Sequence, residues 1–242
     1  MARTLFRIGS ARFYAYPTML FLGMVWGVVA GTHLAASRGL DAGRAHVALL
    51  ALLAPAVVGA RLLFVACHWP TFRRDPSRIF RKSDGGAALF GGFALALALS
   101  VPLVRLLRLP FAAFWDVGAV VILIGLAVTK AGCHLNGCCA GRATSGPLGI
   151  RLRNAQGVVA RRIPSQLLES ALAVTLLAMA IPLSATLNFD GALFLCACLG
   201  YGLGRIWLES TRETAMRAGG VPVSQAIAAS LAGIAAVLLM VA

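Results

Sequence analysis

Acidic residues are scarce in this sequence, and charged residues of either sign are few. Only eight of the 242 residues are Asp or Glu, against 22 Lys and Arg, which gives a formal net charge of +14. Charged residues make up 12% of the chain and apolar residues 60%, whereas soluble domains average about 25% and about 45–50%. A composition this poor in charge excludes an ordinary soluble domain and predicts a membrane protein.

The long apolar stretches lack the alternation that membrane barrel strands require. Continuous runs of about 20 apolar residues are instead typical of transmembrane helices. No linker or repeat divides the chain and the first run lacks a clear cleavage site, so residues 1–242 are predicted to form one all-α, polytopic membrane domain without a cleavable signal. The seven predicted spans cover about residues 15–34, 46–67, 85–104, 112–131, 164–185, 190–208 and 222–242.

The excess of positive charge points to lipid as a partner. The basic residues are divided among short loops, which favours anionic phospholipid headgroups and disfavours nucleic acid. Most of them lie at the N-terminus and in the loops after the second, fourth and sixth spans. The positive-inside rule therefore places these segments in the cytoplasm. Residues 1–14 carry three arginines among apolar residues and are predicted to form an amphipathic entry at the membrane interface.

The most unusual stretch is Lys130–Arg142, which reads KAGCHLNGCCAGR at the end of the fourth span. It combines Cys133, Cys138 and Cys139 with His134, and ionisable groups at membrane depth are functional candidates. A single cysteine also serves as a small buried apolar residue, and that explanation fits Cys196 and Cys198 in the sixth span. The density of the first cluster favours a function for it.

Several motifs, taken in their order along the chain, resemble the bacterial prolipoprotein diacylglyceryl transferase family. Asp116 lies fourteen residues before Lys130, a spacing that the family shares. The matching segments are Tyr16–Gly23, Gly59–Leu62, Asp84–Gly86 with Gly91-Gly92, Asn136-Gly137, Gly141-Arg142, Pro164–Glu169 and Tyr201-Gly202 with Arg205, Glu209 and Arg212. Together they cover nearly the whole chain.

This resemblance implies a function as well as a fold. The family has seven spans and moves the diacylglyceryl group of phosphatidylglycerol to the lipobox cysteine of a secreted lipoprotein precursor. It implies a multi-pass protein of the bacterial inner membrane. It also places the N-terminus and the signature loop outside the cytoplasm, which is the opposite of what the charge pattern indicates.

The chain departs from the family at positions that carry chemistry. Phe90 stands where the family has its essential histidine, and Lys130 replaces the first arginine of the signature. Cys133 replaces its first asparagine and Cys138 its glutamate. Lysine keeps the charge without the bidentate fork that suits phosphate, and phenylalanine has no proton chemistry. His134 is the predicted replacement base.

The residues and the resemblance together predict a lipid-transfer site. Its cations would hold the leaving phosphate, and Glu209, one helical turn after Arg205, would hold that arginine. The predicted catalytic residues are His134, Cys133, Cys138, Cys139 and Glu209. The predicted substrate-binding residues are Tyr16, Arg61, Gly91, Gly92, Lys130, Asn136, Arg142, Tyr201 and Arg205. Two of these have structural alternatives: Arg61 would snorkel to the interface, and Arg205 with Glu209 would form an ion pair inside the bundle.

The thiols leave further chemistry open. A cysteine would act as a nucleophile, Cys133 would form a redox couple with Cys138 or Cys139, or the group would bind a soft metal. The usual spacing of zinc ligands is absent, so no metal ligand and no cofactor are predicted. Nearby cations lower a thiol's pKa, and Cys138 or Cys139 is expected to be more reactive than Cys133. The rival functions are a thiol-dependent membrane protein and a non-catalytic phospholipid-binding protein.

Overall fold

The computed structural model describes residues 3–80, 86, 88–154, 156–187, 189–213, 217–218 and 221–242. Two residues of the third-span motif, Asp84 and Gly85, lie outside this part of the chain. The predicted start of that span at residue 85 therefore lies outside it too.

Within the described residues, seven helices are long and apolar enough to cross a membrane. The predicted all-α, polytopic fold is confirmed, and α3 is a further short helix of four residues. The helices are α1 (Ala15–Ser37), α2 (Ala42–Cys67), α3 (Trp69–Phe72), α4 (Leu89–Leu106), α5 (Phe111–Asn136), α6 (Ser165–Thr186), α7 (Ala192–Ser210) and α8 (Val223–Val241). A 3-10 helix covers Pro76–Phe80.

Polar side chains fix the helix ends at the membrane face opposite the N-terminus. The Asp41 carboxylate accepts a hydrogen bond of 2.9 Å from the backbone N–H of Arg44 and caps α2. Asp116 accepts hydrogen bonds of 2.9 Å from the backbone N–H groups of Gly191 and Phe194 at the start of α7. Asp116, whose spacing to Lys130 matched the family, thus positions α7 from the far end of the bundle.

The pairs of helices α2 and α4, and α1 and α5, pack closely. Between α2 and α4 the contact is made by glycines whose backbones nearly touch. A Cβ atom on Gly59 would lie 2.3 Å from the carbonyl oxygen of Gly91, and one on Gly92 would lie 2.5 Å from that of Ala56. Small residues at such positions let membrane helices approach closely. These glycines therefore set the distance between the two helices.

Short antiparallel hairpins lie at the N-terminal face. Residues 1–14, predicted as an amphipathic entry, contain the exposed strands β1 (Thr4–Ile8) and β2 (Ala11–Tyr14). The segment between α5 and α6 contains the strands Ile150–Arg153 (β3) and Val159–Arg162 (β4). The strands Arg217–Ala218 (β5) and Val221–Pro222 (β6) precede α8. These hairpins lie at the end of the bundle where α5 and α7 end.

Candidate active site

A buried carboxylate, Glu169, is the centre of a group of ionisable side chains at this end of the bundle. Its Oε2 lies 2.9 Å from Nζ of Lys130, 3.4 Å from the guanidinium of Arg205 and 2.7 Å from that of Arg212. The side chain of Glu169 is 1% exposed. Isolated buried charges are costly, and pairing of this kind is what allows them at membrane depth.

The second carboxylate of the group is Glu209. It lies 2.5 Å from Arg205 on the same face of α7 and 3.8 Å from Arg212. Burial lowers the pKa of Arg212, but the negative charge of Glu169 outweighs it and holds that pKa above its ordinary range. Three cations thus face two carboxylates. The structure places the predicted residues Lys130, Arg205 and Glu209 together.

Tyr201 joins this ionic group to an apolar cavity. Its hydroxyl donates a hydrogen bond of 2.9 Å to Oε1 of Glu169, and its ring lines a cavity of about 230 Å³ between α2, α4, α5, α7 and α8. The other walls include Phe90, Trp115, Leu123 and Phe194. The arrangement puts positive charge at the end of a space with apolar walls.

Phe90 belongs to the wall of this cavity. It is buried, and its ring centre lies 6.4 Å from that of Tyr201. The position at which the family's histidine is expected therefore packs apolar surface. Proton transfer at this site has to involve another residue.

The three cysteines of the loop after α5 converge. Cys133 is buried in the last turn of α5, which ends at Gly137 with a left-handed φ of +79°. Cys138 is half-buried and Cys139 exposed. Their three Sγ atoms all lie within 4.8 Å of one another, and among the described residues they form a group able to hold a metal ion.

The thiols outside the helix differ in acidity. Hydrogen bonds from Cys133 and Cys138 hold the pKa of Cys139 well below its ordinary range, and the positive charges of Lys130 and Arg212 act in the same direction. A hydrogen bond from Cys133 lowers the pKa of Cys138, but its own bond to Cys139 and burial outweigh this and raise it. Cys139 is therefore the most acidic thiol outside the helices.

His134 and Asn136 follow Cys133 on α5. Nδ1 of His134 is buried and has no hydrogen-bond partner among the described residues. Asn136 Oδ1 accepts a hydrogen bond of 3.0 Å from the backbone N–H of Arg3 and so ties the N-terminal hairpin to the end of α5. Of these two predicted residues, His134 has an unused polar atom, whereas Asn136 is engaged in structure.

Tyr16 and Arg142 flank the site. Tyr16 lies within electrostatic range of all three thiols from the start of α1. Arg142 has an exposed side chain, and its backbone N–H donates to the carbonyl of Thr211 at 2.8 Å. The loop after α5 is thereby fastened to the segment that carries Arg212.

The remaining predicted binding residues lie on α2 and α4. Arg61 donates hydrogen bonds to the carbonyls of Ile79, Gly86 and Arg78 at 2.9, 3.2 and 3.1 Å and lies over two phenylalanine rings. These bonds tie α2 to the described residues Arg78, Ile79 and Gly86. Gly91 and Gly92 form the α2–α4 contact, and Gly92 also lines the cavity.

The sequence-based list of site residues omitted Glu169, Arg212 and Gln166. Gln166 donates a hydrogen bond of 2.8 Å to the carbonyl of Cys138 and so holds the thiol loop against α6. A signal for Glu169 was available. It is one of only eight acidic residues and lies in an apolar run, and it ends the segment Pro164–Glu169, which resembles a family motif.

The chain is similar to known proteins along nearly its whole length. A profile of the family described as prolipoprotein diacylglyceryl transferase matches residues 3–241. The phosphatidylglycerol–prolipoprotein diacylglyceryl transferase of Nostoc sp. is 26% identical over 96% of this chain and 85% of its own length. Those of Parasynechococcus marenigrum and Geobacter sulfurreducens are each 28% identical, over 90% and 86% of this chain and 82% and 81% of their own lengths. The chain belongs to the prolipoprotein diacylglyceryl transferase family.

Proposed function

We propose that this protein transfers a diacylglyceryl or related glycerolipid group from an anionic phospholipid to a thiol acceptor. The proposed donor is phosphatidylglycerol, and the proposed acceptor is the lipobox cysteine of a lipoprotein precursor in the bacterial inner membrane. The names of the relatives support both substrates. The observation that carries the proposal is the ionic group around Glu169, linked through Tyr201 to an apolar cavity.

The ionic group suits the phosphate of the donor. Lys130, Arg205 and Arg212 outnumber the carboxylates of Glu169 and Glu209, so excess positive charge lies where the leaving phosphate would develop negative charge. Cations fixed in advance at such a position stabilise the transition state without reorganisation. Glu209 and Glu169 hold the cations in place.

The apolar cavity suits an acyl chain of the donor. Its walls are aromatic and aliphatic side chains, and Tyr201 stands at its boundary with the ionic group. A lipid with a chain in the cavity would have its glycerol and phosphate beside the cations. Tyr16, within electrostatic range of the thiols, and Arg142, at the end of the thiol loop, would contact the headgroup.

His134 is the proposed proton acceptor. A thiol must become a thiolate before it attacks carbon, and Phe90, at the position of the expected histidine, cannot take the proton. Nδ1 of His134 is buried without a partner among the described residues and lies next to the thiol group in sequence. Replacement by Asn should lower the rate of transfer and leave donor binding intact.

The test uses purified protein, phosphatidylglycerol of defined acyl chains and a peptide with one lipobox cysteine. Mass spectrometry should find the peptide with an added diacylglyceryl group. Arg205→Ala should lower the rate by about 100-fold. The matched control, Arg44→Ala, removes an exposed ion pair with Asp41 at the far end of the bundle and should keep the rate.

Two results would contradict this function. Tight retention of phosphatidylglycerol without any product would favour a non-catalytic phospholipid-binding protein. Equal rates in the Arg205 and Arg44 variants would remove the ionic group from the reaction.

A further inference from the structure

The thiol group after α5 has close to the dimensions of a metal site. Zinc–sulfur bonds of about 2.3 Å put the ligand sulfurs about 3.8–4.0 Å apart. The sulfurs of Cys133, Cys138 and Cys139 lie within 4.8 Å of one another. Displacements of the sulfur atoms by about 1 Å or less would bring them to this separation.

The backbone of this loop is held in an uncommon conformation. Cys139 has a φ of +56°, in the left-handed region that residues other than glycine seldom adopt. The N–H of Cys138 donates to the carbonyl of Cys133 at 3.1 Å, and the Cys138 carbonyl accepts from Gln166. Such strain persists where the surroundings enforce it and is concentrated at functional sites. In this conformation of Cys139, its sulfur atom lies within 4.8 Å of the sulfurs of Cys133 and Cys138.

The surroundings also suit bound thiolates. Three thiolates on a divalent ion carry a net negative charge. Lys130 lies one turn before Cys133 on α5, and Arg212 pairs with the Gly141 backbone just after Cys139. Both pair with Glu169, and their side chains are only 12% and 15% exposed. Positive charge on two sides of the loop would compensate the complex.

The donor set indicates which metal and what use. The group contains three sulfurs and, among the described residues, neither a histidine nitrogen nor a carboxylate oxygen. Thiolates select soft metals such as zinc and copper(I). Structural zinc has four protein ligands, whereas catalytic zinc has three and an open position. Three ligands beside the proposed lipid site correspond to the second arrangement.

We propose that Cys133, Cys138 and Cys139 bind one Zn²⁺ ion whose open fourth position takes the acceptor thiol as a thiolate. This inference rests on the proposed function and deepens it. It departs from the sequence-based expectation of no metal ligand, because ligand spacing alone did not reveal that the loop folds back on α5. It also accounts for Phe90, since a metal that deprotonates a bound thiol makes the missing histidine unnecessary for that step.

The reaction balances without an oxidant. The acceptor thiol loses its proton to water as it binds the metal. Its sulfur attacks the glyceryl carbon next to the phosphate, a carbon–sulfur bond forms and the carbon–oxygen bond breaks. The electron pair leaves on the phosphate oxygen as glycerol phosphate, beside Lys130 and Arg205. Nothing is oxidised or reduced.

Metal content tests the site independently of activity. Protein purified in reductant with added zinc should hold about one zinc ion per chain by atomic spectrometry. Cys139→Ser should lower the retained zinc at least about tenfold. Cys196→Ser, a thiol on α7 outside the group, is the matched control and should retain it. Wild-type protein that holds copper, or almost no zinc, would overturn the proposal.

The open position is tested with cobalt. Co²⁺ bound in place of zinc should give thiolate-to-cobalt absorption, and a lipobox peptide should shift its visible bands, whereas the same peptide with serine should not. No shift with the cysteine peptide would overturn the role of the fourth position.

Activity then separates this inference from the proposed function. Stripping the zinc should lower transfer by about 100-fold, and zinc should restore it. Transfer at full rate by metal-free protein would overturn the metal site and leave the lipid transfer standing. A cobalt shift with no lipid product under any condition would support the thiol-binding metal and overturn the diacylglyceryl transfer.

Discussion

Replacing Glu169 with Gln tests whether this carboxylate holds the site together. Gln keeps the size of the side chain and can still accept the hydrogen bond of Tyr201. Arg205 and Arg212 retain Glu209 as a partner, but Lys130 has no second carboxylate partner among the described residues. Breaking a buried ion pair costs about 3–5 kcal/mol. Because two of the three cations keep a partner, we expect the lower value, about 3 kcal/mol, as the loss of unfolding free energy.

The assay is a double-mutant cycle on unfolding in detergent. Glu169→Gln, Lys130→Met and the double variant are compared with the wild type. Lys130→Met removes the cation that Glu169→Gln leaves unpaired, so the double variant should be more stable than the sum of the single changes predicts, by about 1–3 kcal/mol. Asp41→Asn is the control, because its ion pair with Arg44 is half-exposed, and it should cost less than about 1 kcal/mol.

Either of two results would contradict this role of Glu169. If Glu169→Gln is as mild as Asp41→Asn, the buried ion pairs do not hold the site. If the changes at Glu169 and Lys130 are additive, the two charges do not interact across α5 and α6.

Three further predictions follow from the packing and the thiols. Gly91→Ala should lower the unfolding free energy by about 1–3 kcal/mol, because its Cβ would lie 2.3 Å from the carbonyl oxygen of Gly59. Gly233→Ala, whose Cβ would have no atom within 4 Å, is the control and should leave the unfolding free energy unchanged. Equal stability of the two variants would contradict the close contact. Ala197→Phe narrows the cavity and should slow transfer from long-chain phosphatidylglycerol about tenfold, with a smaller effect on short-chain donors. If the ratio of the long-chain rate to the short-chain rate is unchanged, the acyl chain does not bind in this cavity. In metal-free protein, iodoacetamide should label the exposed Cys139 first, even at a pH below the ordinary thiol pKa of about 8.5, and peptide mapping would measure the order of labelling. Labelling of the buried Cys133 before Cys139 would contradict this prediction.

The number of spans and their order were predictable from the sequence. Uninterrupted apolar runs have no competing interpretation in a chain so poor in charge. The predicted start of the first span, residue 15, is the start of α1. The fourth span was predicted to end near residue 131, but α5 continues to Asn136. Hydropathy decreases at Lys130, whereas the helix continues until Gly137 adopts a left-handed conformation.

The hairpins and the centre of the site were not predictable in the same way. The strand Thr4–Ile8 has only five residues, and all of them are exposed. A strand this short does not show the alternation of apolar and polar residues by which strands are recognised in a sequence. The role of Glu169 depends on three cations that come from α5, α7 and the segment after α7. Only the packing of these elements shows that one carboxylate pairs with all of them.

The interpretation of glycines in α4 shows a related difficulty. The pair Gly91-Gly92 was predicted to bind substrate. In the structure both glycines make close backbone contact with α2, and Gly92 also lines the cavity, so their role in binding stays a prediction. A glycine pattern in a membrane helix does not by itself distinguish a ligand from a neighbouring helix.

The ion pairs of Glu169 have a consequence for the order in which the chain is built. Synthesis proceeds from the N-terminus, so the ammonium of Lys130 enters the membrane before Glu169 exists, and Glu169 enters before Arg205 and Arg212. Glu169 neutralises Lys130 when α6 arrives, and Arg205 arrives on α7 together with its own partner, Glu209. Until α6 has been inserted, Lys130 must stay at the water interface, because unpaired charge is costly in lipid. The final position of α5 in the bilayer is therefore decided by spans that are translated after it.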